Sequence, residues 1–210
     1  MKSIKNYPQY NNLVDKNYFS SKNLTLGYGN SIVINNLPLS LDFDKNYEII
    51  GRNGAGKSTL LDFISNNFQG NKFDSAVNLK DLRILQLSSE FTLISNLTLR
   101  ENCLYFTKNK ISLNDINKVL TDYDIYHFEN DVIQKFSSGM IKRSELAVAE
   151  LISPDVLCID EPLNYLDGLG VELLKKLIIK RNENKQSTIL CSQEPLNLFT
   201  ETWETIDLNA

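Results

Sequence analysis

A chain of 210 residues with 22 Lys plus Arg against 26 Asp plus Glu carries a formal charge of −4, the wrong sign for a protein that grips nucleic acid with a broad basic surface. Hydrophobic residues at 42% and charged residues at 23% describe one globular domain with enough core to fold without disulfides or a structural metal. Three scattered cysteines, Cys103, Cys158 and Cys191, and one histidine, His127, argue against a disulfide framework, a zinc site and any mechanism needing two histidines.

No apolar run approaches the ~20 residues of a membrane-spanning helix, and Met1 to Pro8 lacks the apolar core of a signal peptide. The expectation is a cytosolic chain, or one docked on a membrane protein from the cytosolic side. Residues 1–16, polar and rich in Asn, Lys and Tyr, are expected to be a loose lead-in to a single domain over 17–210. Apolar runs at 18–19, 24–26, 32–34 and 37–43 are punctuated by Gly27, Gly29-Asn30 and Asn35-Asn36, which predicts short strands joined by tight turns. A further strand at 47–50 runs into a glycine-rich loop. The middle, about 90–145, reads as helical. Thr98 and Glu101 stand at capping-box spacing and start a helix within 97–108. Ser112 and Asp115 repeat the device ahead of Ile116, Val119, Leu120 and Tyr123. A third helix is predicted over 139–152, stopped by Ser153-Pro154. Then come a buried strand at 156–159, an amphipathic helix on Leu169, Leu173, Leu174, Leu177 and Ile178, and a strand at 188–191. Cys158 and Cys191 are expected as small buried hydrophobes in these strands, His127 as a surface residue, and Lys108 to Lys110 as a solvated turn. There are no repeats and no linker suggesting a second domain.

Chemistry concentrates first in Gly51, Arg52, Asn53, Gly54, Ala55, Gly56, Lys57, Ser58 and Thr59, which satisfy G-x-x-x-x-G-K-[ST] between a strand and an apolar helical run. Glycines let successive backbone N–H groups converge on a phosphate, and the helix beginning near Gly56 adds the positive end of its dipole. Lys57 supplies a mobile charge for the β- and γ-phosphates, and Ser58 a hydroxyl for Mg²⁺. A chance glycine-rich turn with this spacing is expected on the order of once in a hundred such chains, less often still with the strand and helix in place. The second concentration is the apolar strand ending in Asp160 and Glu161, before Pro162. It puts two carboxylates at the carboxyl edge of a parallel sheet, where open α/β folds bind ligands. Asp160 can hold Mg²⁺ through its water shell, and Glu161 can accept a proton from an attacking water.

With these in hand, Phe136-Ser137-Ser138-Gly139-Met140 resembles the Leu-Ser-Gly-Gly-Gln signature of ATP-binding cassette (ABC) ATPases, in the Gly-Met form common among small bacterial exporter ATPases. Ser138 stands for the first glycine and Met140 for the glutamine; as a local feature the segment is also a capped helix start. The resemblance covers nearly the whole chain from Tyr18. It implies an α/β fold: a P-loop NTPase core of the ABC ATPase type, with an N-terminal antiparallel β subdomain and a helical subdomain at about 90–145. It implies that Ser137, Ser138, Gly139 and Met140 contact ATP held by a second ATPase subunit, in a homodimer, and that Asp167 couples the two sites. Tyr28 matches the aromatic that stacks on adenine, and 97–102 the segment facing the membrane subunit. Two departures stand out. The loop glutamine that reaches the metal should fall at Ser89, with Gln86 the nearest glutamine; and Ser192-Gln193 replaces the usual Ser-His after the last core strand. Gln193 can hydrogen bond a γ-phosphate or a water but carries no proton. The function so implied is Mg-ATP hydrolysis by a peripheral subunit on the cytoplasmic side of the membrane, powering transport, with export favoured, through a separate permease and without nucleic acid. The alternatives are a soluble non-transport ABC ATPase, or a degenerate cassette that binds ATP and hydrolyses little.

Overall fold

The computed structural model describes residues 17–72, 78–79, 82–88, 93–198 and 203–209; the lead-in 1–16 and Ser89 lie outside them. In chain order the strands are β1 (Asn17–Tyr28), β2 (Ser31–Asp42), β3 (Asn46–Ile50), β4 (Asn71–Lys72), β5 (Asn78–Leu79), β6 (Ile84–Leu87), β7 (Val156–Asp160), β8 (Ser187–Ser192) and β9 (Glu204–Asp207). The helices are α1 (Lys57–Ile64), α2 (Leu99–Phe106), α3 (Leu113–Asp122), α4 (Ser138–Ile152) and α5 (Gly168–Glu183).

The N-terminal region corrects one expectation. In place of short strands and several turns, β1 and β2 form one long antiparallel hairpin, and only Gly29-Asn30 is its turn. The other punctuating residues become irregularities in register, around Leu24, Leu26 and Gly27. Asn36, at φ 56, stays in the strand, with its N–H donating to Thr25 Oγ1 at 3.0 Å. A residue that tolerates positive φ can make a bulge as readily as a turn. β4 and β5 pair antiparallel with β1, completing the smaller sheet.

The second sheet runs β6-β7-β8-β3-β9, parallel throughout. Its central strands are buried on both faces, as parallel strands under helices must be. Successive side chains alternate faces, and the sheet therefore separates two cores. Val156, Cys158, Ile189 and Cys191 pack with α1 and the β1–β2 hairpin, whereas Leu157, Ile159 and Leu190 pack with α2 to α5.

The helical region follows the sequence closely. Thr98 caps α2 in a full capping box with Glu101, Ser112 caps α3, and Ser153 ends α4 at φ 49 before Pro154. His127 and 108–110 are exposed. Two buried polar anchors lack a local pattern. Asn102 Oδ1 accepts from the Ile94 N–H at 2.7 Å while its Nδ2 donates to the Ile94 carbonyl at 3.1 Å, pinning the chain that leads into α2. Arg181, near the end of α5, donates to Thr188 Oγ1 (3.0 Å) and to the carbonyls of Pro154 (3.1 Å) and Ser187 (2.6 Å), stapling the helix to the starts of β7 and β8. Burial lowers its pKa to about 10.

Candidate active site

β3 lies between β8 and β9 and delivers the chain into the glycine-rich loop at the carboxyl edge of the parallel sheet. The Gly51 N–H donates to the Ser192 carbonyl at 3.3 Å, setting the end of β8 beside the loop. Gly54 and Gly56 take φ 82 and φ 97, where side chains are disfavoured. A Cβ on Gly56 would also come within 3.0 Å of Val33 Cγ1, so this turn of the loop can close only on glycine. Lys57, 6% exposed, donates its Nζ to the Gly51 carbonyl at 2.7 Å and to the Arg52 carbonyl at 3.3 Å. Its ammonium is thereby curled into the loop that surrounds it.

Ser58, in the first turn of α1, donates its hydroxyl to Asp160 Oδ2 at 2.8 Å. Two segments about a hundred residues apart in sequence therefore meet as a hydroxyl and a carboxylate, the oxygen donors Mg²⁺ takes. Glu161 follows directly. Its N–H donates to the Cys191 carbonyl at 2.9 Å, continuing the β7–β8 ladder, and its φ of 48 is left-handed. Such a conformation in a glutamate is uncommon and clusters at functional sites. Gln193 is exposed, one residue beyond the Ser192 carbonyl that contacts Gly51.

Gln86 departs from the role of metal ligand. Its Nε2 donates to Asp62 Oδ1 at 2.6 Å, while its Oε1 accepts from Asn67 Nδ2 at 3.0 Å and from Ser65 Oγ. Both ends of the amide are held by the second half of α1 and the residues after it. The reason is β6: it places Gln86 opposite Cys158, two residues short of Asp160 in the neighbouring strand.

Ser137 caps α4, its Oγ accepting from the Met140 N–H at 3.3 Å. Ser138 is exposed and Gly139 half-buried. A Cβ on Gly139 would lie 3.7 Å from the Tyr165 carbonyl, so this helix start adjoins the loop after β7. Asp167, exposed, caps α5 by accepting from the Gly170 N–H at 2.7 Å. Tyr28 ends β1, 46% exposed, its ring centroid 5.3 Å from that of Phe68.

Sequence reasoning missed one charged pair near the site. Lys142 Nζ lies 2.8 Å from Glu145 Oε2 on α4, and burial pushes the Glu145 carboxyl above its ordinary range, partly offset by Lys142. The i,i+3 spacing was visible; that the pair faces inward was not.

Comparison with known proteins agrees with this geometry. Residues 34–164 match the family described as ABC transporter. The bacitracin transport ATP-binding protein BcrA of Enterococcus faecalis is 27% identical over 188 residues, 84% of this chain and 61% of that protein. The lantibiotic transport ATP-binding protein SrtF of Streptococcus pyogenes is 29% identical over 187 residues, 84% of this chain and 80% of that one. The zinc import ATP-binding protein ZnuC of Buchnera aphidicola is 28% identical over 193 residues, 91% and 81% of the two chains. In fold, the chain superposes on a solved ABC transporter ATP-binding protein from Pyrococcus furiosus with a TM-score of 0.76 at 19% identity, covering 91% of this chain and 97% of that one. With phosphate loop, acidic strand end and signature helix in order and the family match spanning most of its length, this chain belongs to the ABC transporter family of ATP-binding proteins.

Proposed function

We propose that the chain binds and hydrolyses Mg-ATP as a pair of copies on the cytoplasmic face of the membrane, and that this drives export through a separate permease. The observation that carries the reading is the 2.8 Å hydrogen bond from Ser58 to Asp160, which joins the phosphate loop to the acidic strand end. These two residues are the ones that would hold Mg²⁺, whose charge when bound neutralises phosphate oxygens. The residues themselves do the rest. Lys57 exchanges its loop carbonyls for phosphate oxygens, and the loop N–H groups cradle the anion. Glu161 orients a water and accepts its proton. Gln193 steadies that water or the γ-phosphate by hydrogen bonding alone. Tyr28 offers its exposed ring to the base. Ser137, Ser138, Gly139 and Met140 serve ATP held by the other copy, beside the coupling residue Asp167.

Export is favoured by the Gly139-Met140 form of the signature and by two relatives named for the transport of bacitracin and a lantibiotic; the name of a third, for zinc import, points the other way. Among the described residues no helix is long and apolar enough to cross a membrane, which fits a subunit that acts on a separate permease. A second reading, a cassette that binds ATP and turns over slowly, is favoured by Gln193 and by the engagement of Gln86 with α1. A tagged chain purified from its own membranes should bring down a multispanning protein that raises its ATP turnover. In proteoliposomes with the ATPase facing outward, a labelled peptide antibiotic should enter the lumen only with Mg-ATP. Full turnover without any membrane partner would favour the soluble class instead.

A further inference from the structure

We infer that Glu145 is a positioning residue for the acidic end of β7: it retains Lys142 on α4 and so keeps that ammonium off Asp160 and Glu161. The four charged side chains line one cleft, together with Leu87 and Leu146. The cleft measures about 20 Å³, room for roughly one water.

Glu145 is 2% exposed and is followed along α4 by the buried Leu146, Ala147, Val148 and Ala149. A carboxylate in such surroundings persists only when paired, and its partner is Lys142 Nζ at 2.8 Å. Lys142 is in turn only partly exposed, with a four-carbon stem that can swing. Removing one member of a buried pair leaves the other charge uncompensated. For Lys142, the remaining carboxylates around the cleft are Asp160 and Glu161. On Asp160 it would compete with the cation that Asp160 and Ser58 would hold; on Glu161 it would occupy the lone pair that a water needs. The Ser58 hydroxyl already donates to Asp160 from the α1 side, so an ammonium arriving from α4 would have to share that carboxylate.

This inference rests on the Mg-ATP reading, and a comparison of Glu145→Gln with the double variant Lys142→Met/Glu145→Gln separates the two. Glu145→Gln keeps the side chain's shape and frees the cation. It should lower turnover by about tenfold. It should also raise the Mg²⁺ concentration needed for half-maximal binding of a fluorescent ATP analogue, a readout that needs no hydrolysis. Deleting the freed cation in the double variant should return both quantities to within about threefold of wild type. A purely packing role predicts the opposite: the double variant no faster than Glu145→Gln, an unchanged Mg²⁺ requirement and a lower melting temperature, which would overturn the inference alone. A wild-type chain that binds no Mg-ATP would overturn the functional reading and this inference with it. Should Glu145→Gln fold poorly, Glu145→Asp, shorter but charged, should show a smaller rise in Mg²⁺ requirement that adding Lys142→Met cancels; no cancellation would again overturn it.

Discussion

Glu161 occupies a left-handed turn immediately after the strand that carries Asp160, with its N–H fixed to Cys191, so its carboxyl is set by backbone geometry rather than by a flexible loop. Glu161→Gln preserves that backbone and removes the proton acceptor. Turnover should fall by about a hundredfold or more in a steady-state phosphate-release assay, with ATP affinity retained. Gln193 presents the complementary case. Gln193→Ala should slow turnover several-fold with little loss of nucleotide affinity, and Gln193→His should preserve or raise it, because an amide and an imidazole can both hydrogen bond. Equal rates for wild type and Gln193→Ala would remove this residue from the reaction. Residues 51–59, Asp160 and Glu161 were legible in the sequence because each motif is continuous and its backbone does much of the work. Glu145 was not, since its i,i+3 spacing from Lys142 is equally that of a solvent-exposed pair. Only the packing of α4 into the core it shares with α2, α3 and α5 turns it inward.

Among the elements, those governed by neighbours in sequence were the ones that could be read. Thr98, Ser112 and Ser137 each cap a helix by accepting from the N–H three residues ahead, a purely local interaction. The hairpin of β1 and β2 was harder. Asn35-Asn36 and Gly27 carry turn chemistry, but the partner strand runs past them and absorbs them as irregularities in register. Gln86 lies in a strand, β6, and what could not be read is what its amide meets: Asp62, a contact from outside its own segment. Asn102 shows what such a non-local contact is worth. Asn102→Ala would leave the half-buried backbone groups of Ile94 without their partners and should lower stability by about 2 kcal/mol in urea denaturation. A proportionate rise in mobility of 93–98 should accompany it in hydrogen exchange. A loss below about 0.5 kcal/mol would show that the segment is held by other means.

For the molecule as a whole, one parallel sheet divides two cores and gathers the phosphate loop, the two acids and the end of β8 at a single edge. The helix start at Ser137 is built on the other core and meets the loop after β7. If that helix start serves a second copy, Mg-ATP should drive association whenever hydrolysis is blocked. Glu161→Gln should elute at twice the monomer mass in gel filtration with Mg-ATP and as a monomer without it; a monomer under both conditions would speak against paired sites. The expectations for Glu161, Gln193 and the paired sites all depend on ATP being held by residues 51–59. Titrating the purified chain with Mg-ATP in a calorimeter, alongside Lys57→Ala, should show one nucleotide bound per wild-type chain and an affinity lower by about a hundredfold or more in the variant, which has lost the loop's charge-assisted contact to phosphate. Equal affinity in the two proteins, or no binding to the wild type, would contradict nucleotide binding at this loop.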